Sequence, residues 1–418
     1  LMTYPTFSLQ GPSTNLLKAQ IAITGSKSET NRLLLLQALF PVLSIDNLSN
    51  SEDAQAMQRG VASTQGTVDI YHAGTAMRFL TAYYATQPGV SVTLTGSERM
   101  QERPIGILVD ALRNLGANIS YLKNEGYPPL AIKGSEIARE KVQLNAGVSS
   151  QYISALLLVG ARLKNGLTLE LEGKITSVPY IKMTLKLLEK IGVKTMFEGQ
   201  EIKVFPAGNV PSKTMVVESD WSSASYYYSL IALSDVGSEV SLSSYSSDSL
   251  QGDAVLRDIY SHLGVQTTFK KDQLVLAKVA APSNAIVENG LSWDLANAPD
   301  IAQTIAVSCF GLGVACDLTG LHTLKIKETD RLLALESELG KLGAGLHVTE
   351  KSLHLEAFDG SIKPHVTIGT YHDHRMAMAF APLALRVPIA IEDAGVVNKS
   401  YPDFWTDMNT LGIQVAPV

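Results

Sequence analysis

"LVDALRNLGANISYL" at residues 108–122 carries apolar residues at helical spacing, stops at Leu115-Gly116, and resumes as a short alternating run. That is an amphipathic helix closed by a left-handed glycine and followed by a strand. The pattern returns in "TLKLLEKIGVKTMFEG" (184–199), "VLRDIYSHLGVQTTFK" (255–270), "LALESELGKLGAGLHVTE" (333–350) and "FWTDMNTLGIQVAPV" (404–418). The closing glycines are Gly116, Gly192, Gly264, Gly343 and Gly412. A spacing of roughly 70 residues marks an internal repeat.

A second piece recurs between these: a helix rich in Ala, Leu and Ser that opens on polar residues. Its copies are "GSKSETNRLLLLQAL" (25–39), "AGTAMRFLTAYY" (73–84), "VSSQYISALLLVG" (148–160), "SDWSSASYYYSLIAL" (219–233), "APDIAQTIAVSCF" (298–310) and "DHRMAMAFAPLAL" (373–385). Short β runs such as "SVTLTG" (91–96), "LTLELEG" (167–173) and "TMVVES" (214–219) lie among them. The sequence therefore predicts six α/β units, arranged as two domains of three units with a seam near Val217–Asp220. On pattern alone, the stretch before Gly25 can pair with either domain.

Composition narrows the function. The chain has 418 residues, 45% hydrophobic and 18% charged, which suits a soluble protein with a large core. A net charge of −6 argues against a general nucleic-acid binder, though not against a small anion met by a local basic cluster. The two cysteines, Cys309 and Cys316, share the apolar stretch "VSCFGLGVACDL" (307–318). They form no disulfide framework or zinc pattern, which points to a reducing, cytoplasmic setting. "LMTYPTFSLQ" (1–10) has neither a basic n-region nor an apolar h-region, so no signal peptide is expected. The run "LLLLQALF" (33–40) is too short to span a membrane.

The unusual residues gather where the small-residue helices begin. Helix N-termini present unpaired N–H groups and a positive dipole end, and so attract anions. Lys27 and Arg32 open the first of these helices, Arg78 follows in the second, and His374 and Arg375 open the last. Arg103, Lys399 and the charged stretch "KIKETDRL" (325–332), with Lys327 and Arg331, add to them. Taken singly, each has an ordinary reading. Ser28, Thr30, Asp220, Asp300 and Asp373 stand where helix caps belong. The charges from Lys327 to Arg331 fit a solvated helix face with i,i+4 pairs. "HDH" (372–374) hints at a metal, but no other ligand spacing surrounds it, so no metal is expected.

Together, these stretches resemble the 5-enolpyruvylshikimate-3-phosphate synthase branch of the enolpyruvyl transferase family. The resemblance rests on "GSKSETNR", "AGTAMRFL", "LTGSERMQERPIGILVDALR", "VSSQYISALLL", "SVPYI", "LQGD", "PDIAQTIA", "KETDRL", "YHDHRMAM" and "NKSYPDF", in this order over nearly the whole chain. It implies an α/β fold of two similar domains, each of three βαβαββ-like units around buried helices, an inside-out α/β barrel. The active-site cleft would lie between the domains, which would close on shikimate-3-phosphate. One domain would comprise residues 21–219 and bind shikimate-3-phosphate. The other would join 1–20 to 220–418 and carry the phosphoenolpyruvate site and the catalytic carboxylates.

The implied reaction moves the enolpyruvyl group of phosphoenolpyruvate to the 5-hydroxyl of shikimate-3-phosphate and releases phosphate, in the shikimate pathway to chorismate and aromatic amino acids. The resemblance implies no cofactor and no partner beyond the two substrates, and a monomer. It assigns catalysis to Asp300, Glu328 and Lys27, with Asp300 as base at the 5-hydroxyl. Shikimate-3-phosphate would meet Lys27, Ser28, Arg32, Ser149, Ser150, Gln151, Ser177, Tyr180, Asp300, Thr323 and Lys327. Phosphoenolpyruvate, or the inhibitor glyphosate in its place, would meet Lys27, His72, Gly74, Thr75, Arg78, Arg103, Gln151, Arg331, His374, Arg375 and Lys399. Three positions depart from the pattern: His72 and Thr323 stand where Asn is usual, and Phe79 where Pro is usual. Two other readings stay open. One is the sister enzyme acting on UDP-N-acetylglucosamine, whose reactive loop cysteine has no counterpart here. The other is an anion-binding scaffold without catalysis.

Overall fold

The computed structural model describes residues 4–147 and 149–418. Residues 1–3 of the N-terminal stretch, and Val148 at the head of "VSSQYISALLL", lie outside the described residues. The chain forms two compact units: Thr24–Glu218, and Leu1–Ile23 together with Ser219–Val418.

In the Thr24–Glu218 unit, strand Gln65–Asp69 runs into the buried helix Gly74–Ala85 and returns parallel as Ser91–Thr95. The amphipathic helix Gly106–Leu115 then leads to the antiparallel pair Asn118–Tyr121 and Leu130–Lys133. The order is β-α-β-α-β-β, with strand 130–133 also pairing antiparallel to 91–95. The next unit repeats it. Lys141–Asn145 and Leu167–Glu172 are parallel across helix Ser150–Gly160. Helix Val178–Lys190 and the hairpin of Thr195–Glu198 with Glu201–Val204 follow. The first repeat is shorter: Leu43–Asp46 pairs only with Lys213–Val216, in parallel.

The other unit is completed by the N-terminal segment. Lys18–Ile21 pairs parallel to Glu239–Ser243 on the edge of one sheet. Phe7–Gln10 is inserted antiparallel between Ile389–Ile391 and Gln414–Pro417 in another. The third sheet of this unit, from Leu291–Asp294, Cys316–Thr319, Leu353–Leu355 and Leu346–Val348, has the same parallel pair followed by antiparallel neighbours.

The glycines that close the amphipathic helices all take positive φ: 111° at Gly116, 91° at Gly192, 84° at Gly264, 110° at Gly343 and 86° at Gly412. A side chain there would meet its own carbonyl, so glycine ends the helix and turns the chain into the next strand. The small-residue helices are enclosed on all sides. In Trp221–Leu233 every residue but Ser222 is buried, including Tyr226, Tyr227 and Tyr228 in succession. Such a helix is apolar all round rather than striped, and each Leu it buries contributes about 1.5–3 kcal/mol. Among the described residues no helix is long and apolar enough to cross a membrane.

A buried helix body has one consequence for function. Its starting turn is the part that reaches the edge of the core, and the polar residues stand there.

Candidate active site

In the Ser219–Val418 unit the site is built around Arg331, the first residue of helix Arg331–Leu342. Asp330 caps this helix, its carboxylate accepting the N–H groups of Leu332 and Leu333 at 3.2 Å. The charged stretch is thus not a helix face. Lys325 lies in a short 3-10 turn, His322–Ile326, and Lys327 and Glu328 lie on the bend before the cap. Within it Glu328 pairs with Arg331 three residues on, while Lys327 and Arg331 also reach Asp300 on another element.

Arg331 is 2% exposed and serves three carboxylates. Its Nη1 lies 2.9 Å from Asp300 Oδ1, its Nη2 2.7 Å from Glu328 Oε2, and its Nε 2.5 Å from Asp373 Oδ2. Lys327 Nζ approaches Asp300 Oδ1 at 3.5 Å, and Arg375 Nη2 approaches Asp300 Oδ2 at 3.5 Å. Lys399 Nζ lies 2.6 Å from Glu328 Oε1. Burial alone would raise the Asp300 carboxyl. The charges of Lys327, Arg375 and Arg331 outweigh burial and hold it well below the usual carboxylate range. Lys327 is drawn up by Asp300, but burial and the neighbouring Arg331 and Arg375 leave it below the ordinary lysine value.

Of the expected caps, Asp220 and Asp373 do cap, accepting from Ser222 N at 3.0 Å and Arg375 N at 2.9 Å. Asp300 does not. It sits in the 3-10 turn Pro299–Ile301 with no side-chain cap bond, which leaves both carboxylate oxygens for the cations. Ser28 and Thr30 do not cap either. Ser26 caps the Lys27–Leu39 helix, and Thr30 Oγ1 accepts the Ser49 N–H at 3.0 Å. His374 is buried, with Nδ1 3.7 Å from Asp373 Oδ1. Thr323 Oγ1 is buried with no hydrogen-bond partner among the described residues.

In the Thr24–Glu218 unit, four helices are tied together by Arg32. This residue is 2% exposed. Its Nε donates to Thr184 Oγ1 at 2.8 Å, its Nη2 to Ser154 Oγ at 3.0 Å and its Nη1 to the Ser28 carbonyl at 2.9 Å. Its guanidinium also lies over the rings of Phe79 and Tyr180, at 5.4 and 5.7 Å. The helices beginning at Lys27, Gly74, Ser150 and Val178 thus share one cation.

Arg78 is likewise inside. Its Nη1 donates to the Gly74 carbonyl and its Nη2 to the Pro104 carbonyl, both at 3.1 Å, and burial with the nearby Arg103 lowers its pKa to about 10. Arg103 lies against Gly74, where a Cβ would meet its Nη1 at 2.7 Å. Gln151 Nε2 donates to Thr75 Oγ1 at 3.0 Å, and Ser149 caps the Gln151 N–H at 3.3 Å. Ser177 holds φ at 52° before helix Val178–Lys190 and makes no side-chain cap bond. Lys27 Nζ pairs with the buried Asp53 at 3.1 Å. His72 stacks on Tyr71 with ring centroids 3.8 Å apart, and its Nδ1 lies 2.9 Å from Ser97 Oγ.

Three further residues hold the cations in place: Asp373, which sequence reasoning gives only as a cap, and Ser222 and Asp253, which it passes over. Asp373 grips Arg331 and caps the Arg375 helix. Ser222 Oγ receives Arg375 Nη2 at 3.3 Å and itself donates to Asp253. Asp253 is buried, which lifts its carboxyl to about 6 against the pull of Arg375 and Ser222. Their signals were present in "HDH" and "LQGD", the first read as a metal hint and the second as a motif without a role.

A basic cluster at helix starts within repeated βαβαββ units defines a class, and solved structures share its fold. EPSP synthase from Acinetobacter baumannii superimposes with a TM-score of 0.79 at 21% identity, covering 99% of this chain and 100% of that one. The enolpyruvyl transferase NikO from Streptomyces tendae gives 0.72 at 13%, covering 99% of each. The fold is that of the enolpyruvyl transferases.

Sequence comparison goes further. The family model for EPSP synthase (3-phosphoshikimate 1-carboxyvinyltransferase) matches residues 60–408. A 3-phosphoshikimate 1-carboxyvinyltransferase of Bacteroides fragilis strain ATCC 25285 is 44% identical over 415 residues, 98% of each chain. One from Photobacterium damsela subsp. piscicida is 34% identical over 427 residues, covering 95% of this chain and 97% of the other. The chain belongs to the EPSP synthase family, which sets aside the nucleotide-sugar branch.

Proposed function

We propose that Asp300, Glu328 and Lys27 carry the proton transfers of the 3-phosphoshikimate 1-carboxyvinyltransferase reaction, with the helix-start cations holding its anions. The enzyme transfers the enolpyruvyl group of phosphoenolpyruvate to the 5-hydroxyl of shikimate-3-phosphate and releases phosphate. The chemistry asks for a base at the 5-hydroxyl and an acid at the methylene carbon. It also asks for cations wherever phosphate and carboxylate oxygens stand.

The observation that carries this reading is the sharing of Arg331, Arg375 and Lys327 by Asp300. A carboxylate so stabilised is a weak base while the site is empty of anions. An incoming carboxylate or phosphate competes for the same cations. As they turn to substrate, Asp300 loses compensation and its proton affinity rises, when the 5-hydroxyl must be deprotonated. Glu328 sits between Arg331 and Lys399, and under the same competition it takes a proton from solvent and delivers it to the methylene. The tetrahedral adduct then loses phosphate as the methyl proton returns.

Arg331, Arg375, Lys399 and Arg103 take the anionic groups of phosphoenolpyruvate, which Gly74, Thr75, Gln151, His72 and His374 also meet. Ser149, Ser150, Ser177 and Lys27 take the 3-phosphate, with Tyr180, Lys327 and Thr323 at the ring. Arg32 and Arg78 act from within, since their hydrogen bonds go to protein groups. The enzyme works as a cytoplasmic monomer on these two substrates.

The test is phosphate release from phosphoenolpyruvate with shikimate-3-phosphate, in the parent and in Asp300→Asn. The parent releases phosphate, and the variant falls by at least about two orders of magnitude, the scale of lost acid–base catalysis. Near-parental turnover in the variant removes Asp300 as the base. No release by the parent favours the scaffold.

A further inference from the structure

Lys399 must hold its ammonium on Glu328 although it ends a short 3-10 turn, Ala394–Lys399, that has no regular element of its own behind it. The residues just beyond the turn are unusually well fastened. Tyr401 is buried, and its hydroxyl donates to Asp407 Oδ2 at 2.5 Å. The Tyr227 hydroxyl, inside helix Trp221–Leu233, lies 2.6 Å from the Tyr401 hydroxyl. Because Tyr401 spends its proton on Asp407, Tyr227 is the donor of that pair. The chain therefore runs Tyr227 to Tyr401 to Asp407, from a buried helix to helix Phe404–Thr410. Two further bonds clip the same turn: Tyr401 N donates to the Val397 carbonyl at 2.7 Å, and Trp405 Nε1 to the Ala394 carbonyl at 2.8 Å.

We propose that the Tyr227–Tyr401–Asp407 chain is a positioning device that sets Lys399 for reaction with phosphoenolpyruvate. Packing alone does not call for these polar groups. Phenylalanine at 227 and 401 would fill the same space, in an aromatic nest where Tyr401 and Tyr226 already meet Phe404 edge-on at 5.5 and 5.6 Å. Burying two hydroxyls beside a half-buried carboxylate is costly unless they are paired. Among the described residues Asp407 has no cation within ion-pair distance, so the two hydroxyls are what hold its charge. Burial raises the Asp407 carboxyl, and the hydrogen bonds of the Tyr401 and Tyr227 hydroxyls pull it back down.

What the chain does gain is direction. It fixes the main chain two residues from Lys399, where a shift of about 1 Å in a charged group can cost up to about a hundredfold in rate. A positioning group of this kind supports the reacting shell through packing and hydrogen bonds rather than by touching substrate.

The inference rests on the assignment of Lys399 to phosphoenolpyruvate, and a double-mutant cycle separates the two. Tyr401→Phe, Tyr227→Phe, Lys399→Ala and the Lys399→Ala combinations are measured for kcat, for KM of each substrate and for urea midpoint. Tyr401→Phe lowers kcat/KM for phosphoenolpyruvate about tenfold. It leaves KM for shikimate-3-phosphate unchanged and lowers the urea midpoint modestly, since Asp407 loses the Tyr401 hydroxyl. In the Lys399→Ala background the same change costs less than about twofold, because the residue it positions is gone. Tyr227→Phe, which keeps the Tyr401–Asp407 bond, gives a smaller loss with the same pattern and guards against a folding defect in Tyr401→Phe. A tenfold loss that persists without Lys399 overturns the proposal, as does a parental kcat/KM in Tyr401→Phe. A parental kcat/KM in Lys399→Ala overturns the assignment of Lys399, and the proposal with it.

Discussion

Replacing Arg331 by methionine tests the cluster where its energetics are sharpest. Methionine fills the apolar stem's space but donates nothing, so three carboxylates lose the cation they share. They are not left equal. Asp300 keeps Lys327 and Arg375, each at 3.5 Å, and Glu328 keeps Lys399 at 2.6 Å. Asp373 is 0% exposed and, among the described residues, keeps the Arg375 N–H at 2.9 Å and the His374 ring at 3.7 Å. The loss therefore falls mainly on one buried charge. Removing one partner of a buried pair costs about 3–5 kcal/mol, and the compensation left to Asp300 and Glu328 places the total within that range rather than at three times it. Urea unfolding without substrates measures it, read as the midpoint at constant slope.

The diagnostic step is the double variant Arg331→Met with Asp373→Asn. Asparagine still caps helix His374–Phe380, but it carries no charge to strand. Removing both partners is far cheaper than removing one. The double variant should thus regain at least about half of the loss. A loss below about 1 kcal/mol in the single variant, the range of an exposed pair, would show that Arg331 does not anchor a buried cluster. A double variant no more stable than the single one would show that Asp373 is not where the cost arises.

Three more outcomes follow from the geometry. Lys278 is buried, with Nζ donating to the Ala232 and Leu263 carbonyls at 2.8 and 2.9 Å, and burial lowers its pKa from 10.5 to about 8. Between those values the unfolded chain holds a proton that the folded one has lost, so Lys278 makes stability rise with pH there; urea midpoints of the parent minus those of Lys278→Met should climb across that window, and a flat difference would refute the shift. Gly74→Ala places a methyl 2.7 Å from Arg103 Nη1. The flexible side chain yields, so KM for phosphoenolpyruvate should rise about tenfold with an unchanged urea midpoint, and an unchanged KM would detach Arg103 from that substrate. Finally, an imidazole changes charge near neutrality whereas an amide does not; if His72 reaches phosphoenolpyruvate, affinity should weaken more steeply with rising pH in the parent than in His72→Asn, and parallel profiles would leave His72 as the partner of Tyr71 and Ser97 only.

The repeats were legible because they are written in local chemistry. Gly116, Gly192, Gly264, Gly343 and Gly412 each end a helix through a backbone angle that glycine alone adopts at little cost. The helix starts were legible for the same reason. What the N-terminal strands pair with was not, since Phe7–Gln10 and Lys18–Ile21 find partners more than two hundred residues away, at Ile389–Ile391, Gln414–Pro417 and Glu239–Ser243. The caps were legible only in part. Ser26, Ser28 and Thr30 are chemically alike, and which one caps depends on where the chain enters the helix. Asp300 looked like a cap and is instead a counter-ion, because the cations that claim it come from Lys327, Arg331 and Arg375. Asp253 escaped notice, and Asp373 showed only as a cap, because nothing near them in sequence shows that they are buried.

The division between binding and bracing residues follows from depth along a buried helix. Lys27 is the first residue of its helix and Arg32 the sixth, about 7.5 Å further in at 1.5 Å per residue. The same holds for Gly74 and Thr75 against Arg78, about 6 Å from Gly74. At the first turn a side chain reaches the edge of the core, and its helix still has N–H groups to offer an anion. One turn deeper the surroundings are other buried helices, and a guanidinium there spends its donors on them. Arg32 accordingly ties Thr184, Ser154 and the Ser28 carbonyl together, while Arg78 ties the Gly74 and Pro104 carbonyls. In the other unit the arginines stand at the first and second helical positions, Arg331 and Arg375, and these are the ones that meet Asp300. Equal sequence signals, arginine near a polar helix start, thus split by a single turn into groups that pair with the carboxylates of the proposed site and groups that tie the helices together.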